Sequence, residues 1–157
     1  VGIGLTNVIF TYVGISLIDK LGRRSLMYIG SIGYIVSLTL ISLSFILEWG
    51  GVVLPIFLFL FIASHAIGQG AIIWVYISEI FPNHIRSYGQ SFGISTHWVL
   101  AAIIPSLIPF LFGSIGPGIV FGFFAFMMLL QLMFTHFIMP ETKGVSLEDL
   151  SKKLIRN

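Results

Sequence analysis

The sequence contains no cysteine, which excludes disulfides, thiolate metal ligands and thiol nucleophiles. Charge is nearly as scarce. Asp, Glu, Lys and Arg make up 9% of the 157 residues, whereas soluble domains carry about 25%. So few charges cannot solvate a globular surface. The formal net charge of +2 gives no basis for a nucleic-acid partner. The four histidines never fall at i, i+4 spacing and have no carboxylate beside them, so neither a metal site nor a cofactor is expected. Strict alternation of apolar and polar residues is missing too, which argues against a lipid-facing β-barrel.

What the chain has in abundance is apolar length. It is 57% hydrophobic and carries 15 phenylalanines, a composition that suits a lipid bilayer as solvent. Charge-free runs occupy 1–18, 25–47, 49–78 and 87–140. The last, as one helix, would be roughly 80 Å long at ~1.5 Å per residue, against a hydrocarbon core of about 30 Å. It must turn back, and the GSIGPG stretch at 113–118 supplies the place. The fold class expected is therefore an all-α membrane protein with five transmembrane helices, about 1–18, 25–47, 52–78, 88–112 and 118–139. A polar tail, 140–157, follows. The chain begins at Val1 inside an apolar segment, which suggests a piece of something longer.

All eight Lys and Arg residues lie in the loop at 19–24, in the loop at 79–87, or in the tail. The turns near 48–51 and 113–118 have none. Five spans put these two sets on opposite faces, and the excess of basic residues assigns the charged set to the cytoplasm. The N-terminus is then outside and the tail inside, in an integral membrane protein of a plasma membrane or bacterial inner membrane. Within the charged set, Asp19 and Glu79 close helices and Arg86 opens one. Each sits unfavourably against its own helix dipole, which implies pairing between loops, with Arg23 and Arg24 able to grip a carboxylate at two points.

Three stretches carry a resemblance. DKLGRR at 19–24 resembles the D-x-x-G-R-R loop motif of the major facilitator superfamily. EIFPNHIR at 79–86 is similar to the E-x6-R element of its sugar porters, and PETKG at 140–144 to their signature after the last helix. The chain is thus identified as a member of the sugar porter family, resembling helices eight to twelve of a twelve-helix transporter. Helix seven and the first half would be missing partners. The resemblance implies that Asp19, Arg23, Arg24, Glu79, Arg86 and Glu141 belong to an inner-face salt-bridge network, closed in the outward-facing state and broken in the inward-facing one.

Polar residues within spans are costly and face a cavity or another helix. Asn7, Thr11 and Gly14 share one face of the first span. His65, Gln69 and Trp74 lie on the third, and His97 and Trp98 on the fourth. Under the resemblance, Asn7 falls at a sugar-binding asparagine and Trp74 at a helix-ten tryptophan. His97–Trp98 stands where an amide followed by tryptophan is usual. The substrate-facing set is therefore Asn7, Trp74, His97 and Trp98, with His65 and Gln69. GQGAIIW at 68–74 departs from the family's proline-bearing pattern. Pro105 and Pro109 predict a kink in the fourth span.

The function implied is carriage of a monosaccharide by alternating access, as symporter or uniporter, and not enzyme catalysis. Two rivals are a membrane enzyme using His65, His97 and Glu79 for acid–base chemistry, and a carrier of polyols or organic acids.

Overall fold

A computed structural model describes residues 1–145; the expectations for the remainder of the tail, 146–157, lie outside the described residues. Among the described residues six helices appear: α1 (Gly2–Leu21), α2 (Arg23–Ile46), α3 (Val53–Ile67), α4 (Gln69–Ile80), α5 (Arg86–Ile115) and α6 (Pro117–Phe137). No strand is present among the described residues. Helices α3 and α4 together make one span, so the five expected spans are the five found, with mean hydropathy from 1.4 to 2.0. The helices extend a few residues into the loops beyond the charge-free runs. Leu21 and Arg23 lie inside helices, because neighbouring elements bind the helix-end groups that lipid could not satisfy.

Helix α2 is the hub. It packs against α1, α3, α4 and α6, and its buried face includes Gly30, Ser31, Ser37, Ser42 and Ser44. Small residues let helix backbones approach closely where lipid gives no apolar advantage to packing. One apolar cluster, Ile18, Leu26, Met27, Ile72, Tyr76 and Met139, lies beneath the charged end. A second joins Tyr34, Leu38 and Ala125 to Phe61, Phe121, Phe124 and Met128. By contrast α5 has no buried residue, and Phe92 and Phe110 are 75% and 71% exposed. Rings so exposed need lipid or further polypeptide to cover them.

The third span breaks at Gly68 (φ −93°, ψ −105°). A Cβ there would stand 2.6 Å from the Cα of Gly30 on α2. The break thus sits where two backbones touch, a contact that only glycine on both sides permits. Pro105 and Pro109, in contrast, lie inside an α5 that continues as one helix from Arg86 to Ile115.

Candidate functional site

The charged end is assembled from helix termini that exchange caps. Gly22 separates α1 from α2 with φ +90° and ψ 160°, a conformation essentially restricted to glycine. A Cβ at this position would lie 2.5 Å from Glu141 Oε2. Glu141 occupies that space because its carboxylate accepts the backbone N–H of Arg23 at 3.0 Å and of Arg24 at 3.1 Å. It also accepts the N–H groups of Thr142 and Lys143, both at 3.0 Å. A carboxylate at a helix N-terminus is favourable for the orphan donors and for the dipole. Here it arrives from a segment 118 residues away.

The reverse exchange also occurs. Arg24 donates from Nε to the Thr135 carbonyl at 3.0 Å and from Nη2 to the His136 carbonyl, capping the C-terminal end of α6. Lys143 Nζ donates to the Lys20 carbonyl at 2.6 Å, at the end of α1. Each cation thereby meets the negative end of a helix other than its own.

Arg23 holds the centre. Its Nη2 and Nε donate to the two oxygens of Glu79 at 2.8 and 3.2 Å, a two-point guanidinium–carboxylate contact. Its Nη1 reaches Asp19 at 3.2 Å. The Asp19 side chain is 84% exposed, whereas those of Arg23 and Glu79 are 13% and 20% exposed. Solvent screening leaves the Asp19 pair weak, so the Glu79 contact carries most of the attraction. Thr142 Oγ1 donates to Glu79 Oε2 at 2.6 Å. Arg86 stands apart: its Nε donates to the Phe81 carbonyl at 3.2 Å, and it forms no ion pair among the described residues.

Where α4 meets α5, Trp74 of α4 meets the ring of His97 edge-on, with centroids 5.0 Å apart. His97 meets Trp98 likewise at 5.5 Å. Trp74 is 39% and Trp98 63% exposed. This aromatic group offers apolar plates beside an imidazole and indole N–H donors. Asn7 is exposed on α1, where its Oδ1 accepts from Thr11 Oγ1 at 3.2 Å. Helix α4 touches both α1 and α5, which do not touch each other among the described residues. Asn7 and the His97–Trp98 pair therefore belong to two helices that flank α4, which itself carries Trp74.

His65 and Gln69 are engaged elsewhere. His65 Nδ1 is hydrogen-bonded to the Tyr34 hydroxyl on α2, and Gln69 Nε2 donates to Ser31 Oγ at 3.1 Å. The Gln69 Oε1 atom is buried without a partner. Sequence reasoning missed Thr142, Lys143, Ser31 and Tyr34. The first two adjoin Glu141, and the others share the buried i, i+3 stripe of α2. That stripe was a usable signal for the partners of His65 and Gln69.

The profile of the family described as sugar (and other) transporter matches residues 1–154. The chain is 38% identical over 157 residues to the arabinose-proton symporter of Bacillus subtilis (strain 168), covering 98% of this chain and 33% of that protein. It is 32% identical over 163 residues to myo-inositol transporter 1 of Saccharomyces cerevisiae, covering 92% of this chain and 28% of the relative. The inward-open structure of the xylose transporter XylE from E. coli superposes with a TM-score of 0.90 at 28% identity, over 96% of this chain and 34% of that one. The chain thus spans about a third of the length of the relatives it matches.

Proposed function

The chain belongs to the sugar (and other) transporter family of the major facilitator superfamily, and from that premise we propose that it forms helices eight to twelve of a transporter that moves a monosaccharide by alternating access. The single observation that carries this reading is the charged end. Three segments far apart in sequence meet there through Arg23, Glu79, and the neighbouring Glu141 and Thr142. Ion pairs at a membrane surface can be made in one state and exchanged for water in the other, which is what a two-state carrier requires. On this reading Asp19, Arg23, Arg24, Glu79, Arg86 and Glu141 form the inner gate and face the cytoplasm. The turns at 48–51 and 113–118 face outward.

The solute is held between this chain and the missing half, at a site near the bilayer midplane. Trp74, His97 and Trp98 supply its apolar plate on this side, and Asn7 a hydrogen-bonding amide. His65 and Gln69 support the site from behind, through Tyr34 and Ser31. Polyols fit the same chemistry, and the similarity to myo-inositol transporter 1 of Saccharomyces cerevisiae favours that second reading. An enzyme is disfavoured. Glu79 is taken up by Arg23 and Thr142, His65 by Tyr34, and His97 lies against two indoles, so no acid meets a base.

The test is uptake of radiolabelled arabinose, xylose and myo-inositol by transport-deficient cells expressing the full-length protein, with and without an ionophore. Saturable uptake of one solute is expected, and its loss with the proton gradient would mark symport. Absence of uptake for all sugars and polyols, together with turnover in a hydrolase or transferase screen, would overturn the proposal.

A further inference from the structure

Helices α3 and α4 are tied to α2 separately, on either side of the break at Gly68. Before the break, His65 of α3 is hydrogen-bonded to the Tyr34 hydroxyl. After it, Gln69, the first residue of α4, donates from Nε2 to Ser31 Oγ at 3.1 Å. Between these ties the backbones of Gly30 and Gly68 touch. Among the described residues α2 and α4 share two polar ties, one at each end of α4: Gln69 with Ser31, and Glu79 with Arg23. The two differ in what can replace them. The side chains of Arg23 and Glu79 keep 13% and 20% exposure at the charged end, where water can take over each hydrogen bond. Ser31 is 0% exposed. No water replaces its partner, and a buried polar group left unpaired loses more than the bond is worth when made.

We propose that Ser31 is a positioning residue: its bond to Gln69 holds the start of α4 as a fixed pivot, while the Arg23–Glu79 contact at the other end opens and closes. This inference rests on the alternating-access reading. At about 1.5 Å per residue, Glu79 stands roughly 16 Å and Trp74 roughly 9 Å from Gly68 along the helix. A tilt of about 10° then carries Glu79 by about 3 Å and Trp74 by about 1.5 Å. The first displacement parts a contact of 2.8 Å. The second moves the indole against His97, whose ring centroid lies 5.0 Å away. One rigid rod links the gate to the solute-facing plate only while its start stays in place. Without the Ser31 bond α4 can slide along α2, and opening at Glu79 no longer decides where Trp74 goes.

The test compares Ser31→Ala and Gln69→Leu with Ser37→Ala in the reconstituted full-length transporter. Ser37 is the control: it is also 0% exposed on α2, but its hydroxyl donates to the Tyr34 carbonyl of the same helix at 3.2 Å. Spin labels on cysteines at Ile29 of α2 and at His84, just beyond α4, report where the far end of α4 stands. Ser31→Ala and Gln69→Leu should each widen the distance distribution by about 2–3 Å. Each should also lower the turnover of arabinose, xylose or myo-inositol by about two- to tenfold, the effect of losing one hydrogen bond. The double variant should be no worse than either single one, because all three lack the same bond. Ser37→Ala should leave both readouts unchanged. If Ser31→Ala fails to fold, Gln69→Leu removes the same bond at nearly the same side-chain volume and carries the test. The distance readout needs no solute, so widening without uptake by the unmodified protein upholds the pivot and rejects the sugar reading alone. Distances in both variants that match those of Ser37→Ala, or additive effects in the double variant, overturn the pivot.

Discussion

Replacing Gly22 with alanine should damage the charged end by two separable routes. The first is backbone strain. At φ +90° and ψ 160°, a residue with a Cβ costs about 1–3 kcal/mol. The second is displacement of Glu141, whose Oε2 lies 2.5 Å from the position a Cβ would take. That carboxylate is the end of a flexible side chain and can swing away. It then leaves the N–H groups of Arg23, Arg24, Thr142 and Lys143, and loss of such a cap costs about 0.5–2 kcal/mol. The total expected is about 2–4 kcal/mol. Gly116 provides the control: it has nearly the same backbone, φ 83° and ψ 151°, but nothing lies within 4 Å of its would-be Cβ. Gly116→Ala should therefore show the strain alone. In thermal unfolding of the full-length protein in detergent, Gly22→Ala should lower the midpoint clearly more than Gly116→Ala. In a Glu141→Ala background the two substitutions should become equal, a coupling of about 1 kcal/mol. Equal effects of Gly22→Ala and Gly116→Ala in the native background would refute the reasoning, as would strict additivity of Gly22→Ala and Glu141→Ala.

Glu79→Gln removes the charge that Arg23 grips, so the state balance should move toward inward-open and turnover should fall more than solute affinity; uptake kinetics with normal turnover would count against the gate. Gly68→Ala forces a Cβ to 2.6 Å from Gly30 Cα and should cost about 1–3 kcal/mol by overpacking. Gly4→Ala, with open space around it, should be nearly neutral in the same unfolding assay. Asn7→Ala should weaken solute binding in the full-length protein by about 0.5–1.5 kcal/mol, the worth of a neutral hydrogen bond, while Trp74→Ala should reduce turnover more; equilibrium binding measured beside uptake separates the two. Cysteines placed at Gly51 and Ser87 should react with an impermeant reagent from opposite sides of the membrane, and labelling of both in intact cells would contradict the orientation.

The sequence by itself determined that this chain crosses a membrane five times, because nothing but lipid suits runs of charge-free residues of that length. It also determined which loops share a face, since charges can gather only where helices end. Burial in a bilayer makes these statements one-dimensional: length and charge position decide them without reference to neighbours. The tertiary structure decided the rest. The Gly22 and Glu141 pairing depends on two segments 119 positions apart in the sequence meeting where a Cβ would stand, and no local pattern encodes such a distance. The break at Gly68 sits where the backbone of Gly30 on another helix touches it, a closeness that only the packed helices reveal. His65 and Gln69 turned toward Tyr34 and Ser31 because a polar group away from water takes the nearest partner. Which partner is nearest is a property of packed helices, not of the order of their residues.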